Sequence, residues 1–156
     1  MTHFSADLAA YAGQTVRLSV DMQVNLFFLD AQFDNFRLAG SCTPPVIASV
    51  TATPSVIWPP NHKMVPVTVL ADASASCGPP VCKIVAITSD EPANGAGDGN
   101  TSPDALFVGL TAEIRAERAG GGFLGRTYTI TVECTDTAGN TTRKDTSVFV
   151  PHDRRK

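Results

Sequence analysis

Three observations predict an all-β fold whose main body is an antiparallel sandwich. Short segments that alternate apolar and polar residues recur along the chain, the mark of strands with one buried face. Stretches rich in Gly, Pro, Asn, Asp and Ser separate them, as turns require. The segments themselves are filled with Val, Ile, Thr and aromatic residues, which suit a pleated, half-buried surface. At 156 residues, 43% hydrophobic and 17% charged, the chain is long enough for one good core and some remainder.

The first element is a β-hairpin. Val16, Leu18, Val20, Met22 and Val24 alternate with Arg17, Ser19, Asp21 and Gln23. A turn at Asn25 leads to "LFFLDAQFDNFRL", where Phe27, Leu29, Ala31 and Phe33 share one parity and Phe36 and Leu38 the other. That slip of parity predicts a bulge near Asp34-Asn35. A lone hairpin so rich in phenylalanine would be marginal. Residues 1–40 therefore read as the last strands of a larger sandwich, or as a surface that packs on the second part or on a partner chain, including a second copy.

"AGSCTPP", with its two prolines, predicts a linker over residues 41–45. Six strands are then expected, near Val46–Thr53, Lys63–Ala71, Val81–Thr88, Leu110–Glu117, Arg126–Cys134 and Arg143–Val150. In "RTYTITVEC", Tyr128, Ile130, Val132 and Cys134 face inward, while three threonines and Glu133 face outward. "TAEIRAERA" has high helix propensity. Even so, Leu110, Ala112, Ile114 and Ala116 alternate with Thr111, Glu113, Arg115 and Glu117, and every neighbouring segment is a strand, so a strand is expected here too. Residues 46–153 then make one sandwich of about 100 residues, the size of an immunoglobulin-type module, and residues 154–156 a tail.

The formal net charge of -3 and a basic run confined to Arg154-Arg155-Lys156, beside Asp153, give no footprint for nucleic acid. No apolar run approaches the roughly 20 residues of a membrane span. "MTHFSADLAAYAGQTVRL" lacks a charged start followed by an apolar block, so no signal peptide is expected within it. Four cysteines, Cys42, Cys77, Cys82 and Cys134, lie in a Thr-, Val-, Gly- and Pro-rich chain, which reads as extracytoplasmic and disulfide-bonded. Zinc is the rival, but "CGPPVC" is followed by no second tight pair, and no histidine sits close to a cysteine.

"WPPNHKMVPV", "CKIVAITSDEP", "GAGDGNTSPD", "RAERAGGG", "GRTYTITVECTDTAGN" and "VPHD" occur in that order. Together they resemble an immunoglobulin-like module, close to the HYR and fibronectin type III groups, found as repeats and C-terminal appendages in secreted bacterial proteins. The resemblance covers about residues 46–153. "DLAAYAGQTVRLSVDM" with "AQFDNFRL" resembles the closing strands of a jelly-roll of the galactose-binding or carbohydrate-binding kind. One departure is visible: Ala105-Leu106-Phe107 stands where such modules would carry a tryptophan. The resemblance implies an adhesive or architectural role without chemistry of its own. Its implied partners are neighbouring domains of the same or a parent protein, with glycans or surface proteins as adhesive targets. Two alternatives stand beside it. A carbohydrate-binding module would show a solvent-facing row among Phe27, Phe28, Phe36 and Trp58, and a secreted hydrolase fragment would have its active site upstream of Met1.

The possible sites follow from residue chemistry. Asp98, Asn100 and Asp104 offer oxygen ligands on a glycine-rich loop of the kind calcium favours. The EF-hand pattern fails, because its twelfth position, counted from Asp98, is Gly109. The plainer reading of the same loop is a long polar turn, and no cofactor is required. His3, His62 and His152 accompany no nucleophile motif. Asp90-Glu91 or Glu113/Glu117 could be read as paired carboxylates for glycoside cleavage, but charges on strand exteriors are ordinarily a solvated face. The cysteines allow three pairings. Cys82 with Cys134 is favoured, because both sit on strand segments and Cys134 shares the inward parity; Cys42 with Cys77 would then tie the linker to the sandwich. The runner-up is a local Cys77–Cys82 loop with Cys42 free. Asn100 and Asn140 fit the N-glycosylation pattern, and Tyr128 resembles the tyrosine that pins a loop corner in sandwich folds. Trp58 and His62 could contact a ligand, but the adjacent prolines read better as the break between the first two strands, with Trp58 over the edge of the core.

Overall fold

The computed structural model describes residues 5–8, 11, 15–17, 19, 42–93, 101–121 and 124–153. The chain divides into two units, Met1–Ala39 and Gly40–Lys156. In the first, the hairpin expected over residues 16–38 lies almost wholly outside the described residues. Val16, Arg17 and Ser19, which are described, belong to no strand. The Tyr11 amide donates to the Leu8 carbonyl at 2.9 Å.

The second unit is all-β. Its strands are β1 (Val46–Thr53), β2 (Met64–Ser74), β3 (Val81–Ser89), β4 (Ala105–Val108), β5 (Thr111–Arg115), β6 (Arg126–Thr135) and β7 (Thr141–Val150). They form two antiparallel sheets, one in the order β1-β2-β5-β4 and the other β3-β6-β7. The six expected strands are present within a few residues of their predicted bounds. The unpredicted one is β4. Four residues between Asp104 and Gly109 are too few to show a period of two, and their strand character comes from pairing with β5, Ala105 opposite Ile114 and Val108 opposite Thr111.

β6 shows how the alternation builds the core. Its odd-parity side chains are half-buried, whereas Arg126, Tyr128, Ile130, Val132 and Cys134 are all buried. Across the sandwich they meet Val67 and Val69 of β2 and Ala112 and Ile114 of β5, with Val148 and Val150 of β7 beside them. Each buried valine or isoleucine contributes about 1.5–3 kcal/mol of transfer free energy, so this single cluster is the main source of stability. Bulges fall between Ile47 and Ser49 in β1 and between Ile84 and Ala86 in β3. At the first, the Lys144 ammonium donates to the Ile47 and Ala48 carbonyls at 3.2 and 2.6 Å, which ties β7 to β1 across the sheets.

Two disulfides are present, Cys42–Cys77 and Cys82–Cys134. Cys82 and Cys134 are directly opposed in the β3–β6 ladder, so this bridge staples neighbours within one sheet. Cys42–Cys77 takes the segment expected to be a linker and fastens it to the turn after β2. Thr43 adds two hydrogen bonds to Ser76, both 3.1 Å. Among the described residues no helix is long and apolar enough to cross a membrane.

Candidate functional site

The polar centre of the sandwich lies where β6 begins. Arg126 takes the inward parity of its strand and is 1% exposed. A buried guanidinium needs acceptors for its N–H groups, and three elements supply them. Its Nε donates to Ser89 Oγ at the end of β3 (2.7 Å), Nη1 to Glu117 Oε1 after β5 (3.0 Å), and Nη2 to Asp104 Oδ2 just before β4. The guanidinium carbon also sits 4.7 Å from the centroid of the Tyr128 ring, a stacked cation–π contact.

Glu117 is fully buried, which corrects the outward parity expected for it. β5 ends at Arg115 and the chain turns there, the Glu117 amide donating to the Arg115 carbonyl at 2.9 Å. Alternation therefore lapses two residues early and the carboxylate swings in towards Arg126. Its Oε2 accepts from Thr101 Oγ1 (3.2 Å) and lies 3.6 Å from His62 Nδ1 and 3.8 Å from Arg115 Nε. Burial holds the Glu117 carboxyl above its ordinary 4.5; neighbouring Asp104 adds to the rise, while His62 and Arg126 oppose it. Loss of water thus outweighs the nearby cations, and it favours the neutral acid. Asp104 Oδ1 is buried with no hydrogen-bond partner.

Tyr128 fixes this end of the fold. Its hydroxyl donates to the Arg115 carbonyl at 3.1 Å, and burial pushes its pKa well above the ordinary 10.0. Gly125 is needed just before Arg126: its φ is +92°, and a Cβ there would stand 2.4 Å from the Val150 carbonyl oxygen.

A cleft of ≈ 370 Å³ opens beside the cluster, lined by Ile87, Ser89, Glu91, Pro103, Asp104 and Arg126 among others. Each of the three Arg126 nitrogens already donates to a side-chain oxygen of the cluster. Glu91 Oε2 accepts from the Ala119 amide at 2.6 Å, and Asp90 Oδ1 from the Thr127 amide at 2.8 Å. Both carboxylates proposed as a glycosidase pair thus hold backbone in place. Of Glu113 and Glu117, the first is exposed on a strand and the second buried, so they share no face. The hydroxyls of the cluster, Ser89 and Thr101, bond to Arg126 and Glu117 rather than to a histidine.

Asp98 and Asn100 lie outside the described residues, as do Phe27, Phe28, Phe36 and His3. Asp104, the third candidate calcium ligand, has one oxygen on Arg126. Among the described residues no group of three or more His, Cys, Asp or Glu side chains could hold a metal ion. Trp58 is 38% exposed and precedes a cis Pro59. Its neighbour Ile57 enters the core instead, its amide donating to the Phe149 carbonyl at 2.9 Å. His62 adopts a φ of 62° at the turn, where Asn61 Oδ1 accepts from the Lys63 amide at 3.2 Å. Asn140 does not present a free amide for a glycan: its Nδ2 donates to Asp136 Oδ2 (2.9 Å) and to the Cys42 carbonyl (3.3 Å).

Sequence reasoning missed Arg126 as the hub. The signal was available, since two residues before an inward Tyr128 the same parity points the arginine into the core, and a buried arginine demands carboxylates. Comparisons with protein-family profiles, curated proteins and solved structures find no match.

Proposed function

We propose that residues 46–153 are a non-catalytic, extracellular immunoglobulin-like module serving as a spacer or anchor in a larger secreted or surface protein. The strand order carries this reading. Four strands in the order β1-β2-β5-β4 facing three in the order β3-β6-β7 match the constant-type immunoglobulin arrangement, in which first, second, fifth and fourth strands face third, sixth and seventh. Tyr128 adds support, since its bond from the start of β6 back to the end of β5, 13 residues upstream, resembles a tyrosine corner, though it stands six residues before Cys134 rather than two. The in-sheet Cys82–Cys134 bridge departs from the inter-sheet bridge of antibody domains. Two disulfides favour an oxidising compartment.

A spacer must hold its ends apart, and the register favours this. Near the start of β7, Asn140 reaches Cys42 and Lys144 reaches Ile47. Near its end, Phe149 pairs in parallel with Val56. The chain thus comes in at one end of the sandwich and leaves at the other. Ten or so extended residues separate them, about 35 Å. The cluster around Arg126 then acts as a rivet at the outgoing end. Calcium on the loop of Asp98, Asn100 and Asp104 is a separate proposal within this role, tested by calorimetric titration of the chain and of Asp98→Ala; an unchanged heat in the variant removes it.

Single-molecule energy transfer between labels at Thr43 and Asp153 of the full chain tests the spacer. The expected separation is on the order of 35 Å and does not respond to glycans. A collapsed distance, or glycan binding lost on Trp58→Ala, would favour the carbohydrate-binding alternative instead.

A further inference from the structure

The two disulfides are separated by very little chain. Cys77 closes a loop of 35 residue steps back to Cys42, and Cys82 opens a loop of 52 steps on to Cys134. Between the loops lie only Gly78, Pro79, Pro80 and Val81. The loops are neither nested nor crossed; they follow one another. A covalent path therefore runs from Cys42 across the first bridge to Cys77, along four intervening residues to Cys82, across the second bridge to Cys134, and into β7.

We propose that the two bridges act in series as one covalent strap that joins the incoming chain to the last strand and bypasses β1, β2, β4, β5 and nearly all of β3 and β6. Two consequences follow from connectivity alone. A backbone break anywhere from 43 to 76 or from 83 to 133 leaves both ends of the module joined. Tension applied across the ends cannot draw either loop out, whatever happens to the sheets. The glycine-rich stretches "EPANGAGDGNTSPD" and "AGGGFLG" both fall inside the second loop, and such stretches are where nicking concentrates.

The unbridged pieces are built to resist the same attack. The first carries two prolines, which remove backbone N–H groups and restrict φ. Its Gly78, at φ +77°, packs so closely on Thr137 that a Cβ would stand 2.9 Å from Cγ2. The second is the turn from β6 to β7. There Asp136 Oδ1 accepts from the Ala138 and Asn140 amides, both at 2.9 Å. Thr137 donates from both its amide and its hydroxyl to the Cys77 carbonyl, so the two gaps in the strap are bound to each other.

The strap deepens the spacer reading and rests on it only for its purpose; its existence is a property of the covalent chain. Two experiments on the full chain test it. Stretched to full extension in a force spectrometer, the chain should lengthen on reduction by the sum of both loops, roughly 300 Å. The Cys42→Ser/Cys77→Ser variant should lengthen by about 120 Å and Cys82→Ser/Cys134→Ser by about 180 Å, adding to the value for reduction. Nested or crossed pairings break that additivity and would overturn the proposal, as would no gain on reduction. Should a variant fail to fold, the cleavage experiment below still tests the strap. In the second experiment, chain cut after Arg118 should run as one species until reduced and as two afterwards; separation without reductant overturns the strap. A collapsed end-to-end distance would overturn the spacer reading while leaving these lengths unchanged, so the two failures are distinguishable.

Discussion

The two ends of the sandwich each bury an acid, and they do so by opposite means. At the incoming end Asp136 receives N–H donors from its own turn: the Asn140 side chain foremost, then the Asn140, Ala138 and Gly139 amides, and these hold its carboxyl below the ordinary 3.8. Its partners lie within four residues and are neutral. At the outgoing end Glu117 has lost water and shares Arg126 with Asp104, which holds its carboxyl above the ordinary 4.5. Its partners come from residues 2 to 55 positions away in sequence, and three of the groups around it, Arg115, Arg126 and Asp104, carry charge. A local hydrogen-bonded turn stabilises the charged acid. A long-range cluster in a dry site favours the proton.

The sharpest way to break that contrast is Arg126→Met. Removing the guanidinium strands two buried carboxylates, and breaking a buried pair costs about 3–5 kcal/mol; urea unfolding should read a loss of that order. Asp136→Asn keeps neutral partners and should cost clearly less. Equal losses at the two ends would mean that the charged cluster has no special place in the fold.

The pH response separates the ends next. Because the folded pKa of Glu117 is raised, its contribution is complete below 4.5 and falls away as pH rises through the folded value. Because that of Asp136 is lowered, its contribution is complete above 3.8 and falls away as pH drops through the folded value. Melting curves across pH should therefore lose the high-pH decline in Glu117→Gln and the low-pH decline in Asp136→Asn. The reverse assignment would invert the comparison.

Tyr128→Phe removes one hydrogen bond to the Arg115 carbonyl and should cost about 1 kcal/mol in chemical denaturation, while leaving the stacked ring in place. The smallest effect is expected from Arg143→Ala. Its 2.8 Å contact with Glu133 lies on the outer face of the sheet, where exposed pairs contribute only about 0–1 kcal/mol. A loss there as large as that for Tyr128→Phe would show that surface charge matters more to this sandwich than its burial implies.

Much of the sandwich was legible in advance, and for a physical reason that differs from element to element. β6 was readable because four successive inward positions, Tyr128 to Cys134, meet the same buried layer, so its alternation is uninterrupted. β1 was readable because prolines bound it on both sides. β4 was not, since its pairing with β5 determines a strand that its four residues do not announce. Glu117 was placed outside because parity was carried past the true end of β5. Asp104 read as a calcium ligand because an aspartate on a glycine-rich loop has the right chemistry for an ion, and nothing local discloses an arginine 22 positions on.

Alternation, turn residues and cysteine positions are properties of neighbouring residues, because successive side chains of an extended chain point to opposite faces wherever that chain goes. They determined, from the sequence alone, that this protein is all-β, where most strands of the second unit lie and which side chains face inward. What an inward polar residue meets is different in kind. Arg126 finds Glu117, Asp104 and Ser89 from 9, 22 and 37 residues away, and Cys77 finds Cys42 from 35. Those encounters depend on how both sheets stack, and only the tertiary structure decides them.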